Sequence, residues 1–139
     1  MEMTTAQKLQ MYINAEMGDA ALYRELAKIA PTDEYKQLLL EFAEDEQSHA
    51  DTFRNIYRSL TGRSYTLEAK TPQLMGDFYD ILHERVLDES SDFRKYGEQY
   101  LLTTNNDMLR EAYYRARTDE NVHALRLLYM LTGFEEEEE

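Results

Sequence analysis

Asp45-Glu46-Gln47-Ser48-His49-Ala50 and Asp119-Glu120-Asn121-Val122-His123-Ala124 share one pattern, Asp-Glu-x-x-His-Ala, at an offset of 74 residues. In an α-helix each residue turns by about 100° and rises by about 1.5 Å, so a Glu and a His three apart share a face. They stand about 60° apart around the axis and about 4.5 Å apart along it. A carboxylate and an imidazole held in that way can grip one ion. One such pair is common on solvated helix faces. A second copy points to a doubled metal site, if the chain supplies the remaining partners.

Those partners lie in the segments between and before the two copies. A first helix over 4–30 carries Leu9, Ile13, Glu16, Ala20, Tyr23, Ala27 and Ala30 on one face, a glutamate in the middle of an apolar stripe. Pro31 stops it, and Thr32-Asp33 caps the next. The second helix places Leu39, Phe42, Glu46, His49, Phe53, Ile56 and Leu60 on its stripe and stops at Gly62. Residues 63–71 have no clear period, and Thr71-Pro72 opens a third helix running to about Thr103, with Phe78, Leu82, Glu89, Phe93, Tyr96 and Tyr100 on one face. Asn105-Asn106-Asp107 is turn and cap chemistry. The fourth helix carries Leu109, Ala112, Ala116, Glu120, His123, Leu127 and Leu131 and is expected to end at Thr132-Gly133.

A longer repeat then emerges. Glu16-x-x-Asp19-x-x-x-Tyr23 matches Glu89-x-x-Asp92-x-x-x-Tyr96 at an offset of 73, so the chain reads as two helical hairpins of one design. Glu16 and Glu46 lie 15 residues either side of Pro31, while Glu89 and Glu120 lie 16 and 15 from Asn105. Residues equidistant from the turn of an antiparallel hairpin sit at one height. Four glutamates and two histidines therefore meet at one level of an all-α four-helix bundle.

Composition agrees. Among 139 residues only two are proline and five glycine, and β-branched alternation is absent, as one helical domain requires. The domain is expected over 1–134, with the five glutamates of 135–139 as a disordered acidic tail. The formal charge is −13, and about −8 without that tail. Such a surface repels phosphate backbones and anionic lipid, which argues against nucleic-acid or membrane partners. No cysteine is present, so iron–sulfur clusters and Cys-ligated zinc or iron are excluded and any metal is held by His and carboxylates. No apolar run approaches the roughly 20 residues of a membrane span, and residues 1–30 lack a signal-peptide profile. A cytoplasmic protein is the expectation.

Four Glu and two His, one Glu on each of two helices and Glu-x-x-His on each of the others, is the arrangement of ferritin-like di-metal carboxylate bundles. On Glu16, Glu46, His49, Glu89, Glu120 and His123, over roughly residues 4–133, the chain resembles the ferritin-like superfamily and most closely rubrerythrin-like proteins. The resemblance implies two metal ions, with His49 and His123 each capping one. Either Glu46 with Glu120 or Glu16 with Glu89 bridges them, and the sequence leaves that choice open. Asp45 and Asp119 suit acceptors that orient an imidazole across the bundle, and Tyr23 and Tyr96 can hydrogen-bond ligand carboxylates. Rubrerythrins often carry an extra Glu ligand three residues after the third-helix Glu; here that position is the shorter Asp92, a possible seventh ligand. His83 and Glu98 point away from the ligand face.

The chain path adds a constraint. Ferritin-like bundles run the second and third helices parallel, joined by a crossover. With straight helices, Gly62 lies about 20 Å beyond His49 and Pro72 about 25 Å before Glu89, while nine extended residues reach only about 32 Å. The third helix must therefore start late, near Gly76-Asp77 or beyond, or kink, or belong to a hairpin exchanged between two chains. A late or broken start within one chain is the favoured solution.

Mixed carboxylate and imidazole donors suit iron, with manganese as the alternative. The resemblance implies di-iron oxidoreductase chemistry: Fe(II) oxidation by O₂ or H₂O₂, or peroxide reduction. Without a Cys-ligated rubredoxin domain in this chain, electrons would come from an external donor protein or from Fe(II) itself, which shifts weight towards ferroxidase-like chemistry. A non-catalytic, metal-stabilised structural or interaction protein is the reading from a different class. A homodimer is the default assembly for such bundles.

Overall fold

The computed structural model describes residues 2–67 and 70–138, with side chains up to Phe134. Its helices are α1 (Thr5–Lys28), α2 (Asp33–Thr61), α3 (Phe78–Leu102) and α4 (Asp107–Glu138). Each begins where a polar side chain can satisfy free backbone N–H groups. Thr4 and Gln7 form a reciprocal capping box. Thr32 accepts from the Tyr35 amide, Asp77 from Asp80 and Asn106 from Leu109, at 3.0–3.1 Å. Gly62 ends α2 in the left-handed conformation, φ 72°, where a side chain would be strained.

The direction of each helix follows from where its apolar residues collect. Tyr23 and Leu26 late in α1, Leu39 and Phe42 early in α2, Phe78 and Leu82 early in α3, and Leu127 and Met130 late in α4 form one cluster. Leu9 and Ile13, Phe53 and Ile56, Tyr96, and Leu109 and Tyr113 form the other. Hence α1 and α4 run one way and α2 and α3 the other. The connection of 62–77 spans the bundle lengthwise. Tyr65 near its start packs on the second cluster and Leu74 near its end on the first, and Tyr65 Oη bonds Asn14 at 2.8 Å. This is the single-chain crossover bundle that the sequence predicts, with the late start of α3 at Phe78 that the reach of the chain demands. Thr71-Pro72, read from sequence as a helix-opening pair, precedes α3 by several residues. Among the described residues no helix is long and apolar enough to cross a membrane.

Two expectations fail in detail. Leu60, assigned to the buried stripe, is exposed. More informatively, α4 passes through Thr132-Gly133 and its backbone stays helical to Glu138, so Gly133 does not stop the helix. Gly133 is buried, and a Cβ there would collide with Tyr35 Oη and stand 3.0 Å from two of its ring carbons. Tyr35 in turn stacks on Phe78. The glycine is a packing requirement of α2 against α4. Gly133→Ala is therefore expected to destabilise the protein by about 1–3 kcal/mol, despite the better helix propensity of alanine, measured as a lower midpoint in urea with unchanged slope. The side chains of 135–138 and residue 139, where the tail was expected to be disordered, lie outside the described residues.

Candidate metal centre

Between the two apolar clusters lies a polar layer: Glu16 from α1, Glu46 and His49 from α2, Glu89 from α3, and Glu120 and His123 from α4, each at most 4% exposed. The hairpins place them there because the apolar residues one turn above and below, such as Phe42, Phe53, Ala20 and Ala116, are locked into the core. Ligand-capable atoms fall into two quartets, Glu16–Glu46–His49–Glu120 and Glu46–Glu89–Glu120–His123, each with all its atoms within 4.8 Å of one another. Glu46 and Glu120 belong to both. Glu16 and Glu89, the other pair the sequence left open, each belong to one quartet.

Both histidines face the centre with Nδ1. His49 Nδ1 stands 3.5 Å from Glu16, 3.7 Å from Glu46 and 3.7 Å from Glu120. His123 Nδ1 stands 3.2 Å from Glu46, 3.5 Å from Glu89 and 3.6 Å from Glu120. On the far edge of each ring Nε2 donates across the bundle, His49 to Asp119 at 2.6 Å and His123 to Asp45 at 2.8 Å. Each Asp thus serves the opposite hairpin's histidine and leaves Nδ1 for the centre. The tyrosines also cross over: Tyr23 Oη donates to Glu89 at 2.5 Å and Tyr96 Oη to Glu16 at 2.7 Å.

One partner was not foreseen. Arg85, one turn before Glu89 on the same face, is buried and reaches Glu89 and Asp19 at 3.2 Å, Tyr23 Oη at 3.1 Å and Asp88 at 3.1 Å. Its i,i+4 spacing to Glu89 was the available signal. Asp92 lies in neither quartet. It pairs with Lys95 at 3.1 Å and forms a third group with Asp19 and Glu120, which adjoins both quartets through Glu120. His83 and Glu98 are exposed, away from the centre.

The electrostatics are those of a cluster short of positive charge. Burial, then the neighbouring Glu16, pushes Glu46 and Glu120 well above the ordinary carboxylate range. Burial alone would lower the histidines. The Nε2 bond to Asp119 and the negative charge of the nearby Glu16 outweigh it and push His49 up to about 10, and the Nε2 bond to Asp45 with the nearby Glu46 and Glu89 carboxylates pushes His123 to about 11. Burial would likewise raise Glu89, but His123, Glu120 and Arg85 hold it down to about 2. Asp19 is raised to about 7, by burial against the opposing pull of Arg85.

The test of fit to a metal lies in the atoms left over. Glu16 Oε2, Glu89 Oε2, both carboxylate oxygens of Glu46 and of Glu120, and Nδ1 of both histidines are buried without a hydrogen-bond partner. Eight such atoms in one protein layer would cost several kcal/mol. They converge, and their mixture of carboxylate oxygen and imidazole nitrogen is what a divalent transition ion takes.

Comparison with known proteins agrees with this geometry. A rubrerythrin family model matches residues 8–75. An uncharacterized protein of Bacillus subtilis (strain 168), YhjR, is 31% identical over 127 residues, covering 90% of this chain and 85% of that one. The chain belongs to the rubrerythrin family. The family model covers α1, α2 and most of the crossover, so the contribution of Glu89, Glu120 and His123 rests on the second hairpin's own geometry. A hypothetical protein from Pyrococcus furiosus has the same fold, with a TM-score of 0.78 at 18% identity, over 93% of this chain and 89% of that one.

Proposed function

We propose that this rubrerythrin-family chain binds two iron ions and carries out oxidoreductase chemistry, Fe(II) oxidation or peroxide reduction, at a carboxylate-bridged pair. The observation that carries this reading is the set of eight buried, unpartnered donor atoms divided into two quartets that share Glu46 and Glu120. Glu16 and His49 would help hold one ion and Glu89 and His123 the other, with Glu46 and Glu120 within reach of both. The donor set suits iron, and manganese is the alternative. Bound there, the pair supplies two electrons and open positions for O₂ or H₂O₂.

The protein's own residues prepare the site. Asp119 and Asp45 fix the Nε2 proton so that each imidazole offers Nδ1. Tyr96 and Tyr23 hold one oxygen of Glu16 and of Glu89 and leave the other free. Phe42, with its ring centroid 4.3 Å from that of His123, keeps water from that side. Electrons reach the site from Fe(II) supplied as substrate or from an external donor.

Anaerobic loading with Fe(II), followed in parallel by O₂ and by H₂O₂, is expected to raise absorbance at about 300 to 400 nm as the iron is oxidised. A faster response to O₂ makes O₂ the oxidant, and a response confined to H₂O₂ makes peroxide the oxidant. A loaded protein inert to both overturns the redox reading in favour of a metal that only stabilises the bundle.

A further inference from the structure

The repeat makes the two halves of the centre look equivalent, and their surroundings are not. At an offset of 73 the counterpart of Arg85 is Tyr12. Tyr12 packs its ring against Tyr96 and Tyr113 at 5.2 and 5.8 Å between centroids and brings no charge. Glu89 thus has one oxygen held jointly by Tyr23 and by the Arg85 guanidinium, whereas the matching oxygen of Glu16 accepts from the neutral Tyr96 hydroxyl, with His49 Nδ1 at 3.5 Å and no guanidinium. Among the described residues no arginine or lysine pairs with Glu16. The nearby Lys95 pairs with Asp92 at 3.1 Å and stands over the Tyr12 and Tyr96 rings at 5.3 and 5.2 Å, but it makes no ion pair with Glu16 as Arg85 does with Glu89. A second difference is access. A cleft of about 290 Å³ between α2 and α4 is walled in part by His49, Phe53, Met108 and Ala112, so His49 borders an opening that His123 does not line.

We propose that Arg85 ranks the two ion positions, so that the one at Glu16 and His49 fills first and holds its ion more tightly than the one at Glu89 and His123. This rests on the two-ion reading given above. Arg85 withdraws charge from Glu89 and stands as a fixed cation one carboxylate away from the second ion. A buried unit charge at that range, even at an effective dielectric of about 20, lowers affinity by at least about tenfold. Asp19 and Asp88 balance this charge in sum, but Arg85 is the member of that trio that touches Glu89, so the guanidinium is the charge nearest that quartet. Arg85 is a positioning residue: it touches a ligand and not the ions.

The test is an anaerobic titration of the metal-free full chain with Co(II), a divalent probe that O₂-free buffer keeps in one oxidation state. The parent is expected to show two binding steps separated by at least about tenfold. Arg85→Met is expected to tighten the weaker step by about tenfold and to move the tighter one by less than about threefold. His49→Ala should remove the tight step and His123→Ala the weak one. Equal steps in the parent, loss of the tight step in His123→Ala, or a weaker second step in Arg85→Met would overturn the ranking while leaving the two-ion centre intact. Should Arg85→Met not fold, anomalous diffraction from the parent with one equivalent of Co(II) decides the matter. Density beside His49 supports the ranking, and equal or greater density beside His123 overturns it. A parent that binds no Co(II) overturns the two-ion reading itself.

Discussion

Adding Fe(II) anaerobically, in large excess over its Kd, to the metal-free protein at pH 7.5 is expected to raise its melting temperature by about 15 °C or more. An ion present at a thousand times its Kd contributes about 4 kcal/mol, and for a chain of this size about 1 kcal/mol moves the midpoint by roughly 3–5 °C. Two ions acting on one cooperative unit exceed the expected shift even after allowance for relaxation of the empty site. The pH dependence has a definite sign. Glu46 and Glu120 are raised on folding. Their support for the metal-free fold is therefore complete below the unfolded carboxylate value and is lost as pH rises towards the folded one. His49 and His123, raised to about 10 and 11, add support that is complete below about pH 6.5 and lost as pH rises through those values. Glu89, lowered to about 2, acts the other way, with support lost only as pH falls from about 4.5 through about 2. The metal-free protein should thus be most stable near pH 5 and lose stability steadily to pH 9. Metal binding needs the ligands deprotonated and releases protons. The metal-induced rise should therefore grow between pH 5.5 and 8, as scanning calorimetry at a series of pH values would measure. A rise that shrinks with pH would mean that the buried carboxylates are not the ligands.

The second large effect separates shared from unshared ligands. Glu46→Gln or Glu120→Gln should abolish binding of both ions, because each carboxylate belongs to both quartets, whereas Glu16→Ala or His49→Ala should leave one. The same Gln variants should be more stable than the metal-free parent at pH 8, by on the order of 1–3 kcal/mol, because a neutral amide replaces a carboxylate whose ionisation the buried layer resists. A change that removes the metal yet strengthens the empty bundle is the signature of a charge kept for binding. A general loss of folding would instead lower both. Metal content after gel filtration, paired with urea melts, distinguishes the outcomes.

The level of the centre was legible because it depends on counting. Equal distances from Pro31 and distances within one residue of each other from Asn105 put six side chains at one height, and the late start of α3 at Phe78 follows from how far a short connection can reach. Which pair is shared was not legible, since helix periodicity gives a face to within tens of degrees and the choice between Glu46–Glu120 and Glu16–Glu89 turns on which helices lie nearest across the bundle. Arg85 escaped because an arginine between His83 and Asp88 on a charged stretch reads as solvated, and only the acids of α1 and α3 draw it inside. Gly133 was misread for a different reason. A glycine near the end of a helical pattern signals a stop by local rules, but here the space it leaves is taken by Tyr35 from another helix. Local chemistry set the caps and turns, while contacts between hairpins decided what the sequence left open.

The most direct test of the centre is the number of ions it holds. Anaerobic loading of the parent chain with Fe(II), removal of free metal and elemental analysis should give two ions per chain, with one left in Glu16→Ala and none in Glu120→Gln. A parent that retains fewer than one ion, with Glu120→Gln indistinguishable from it, would contradict the account.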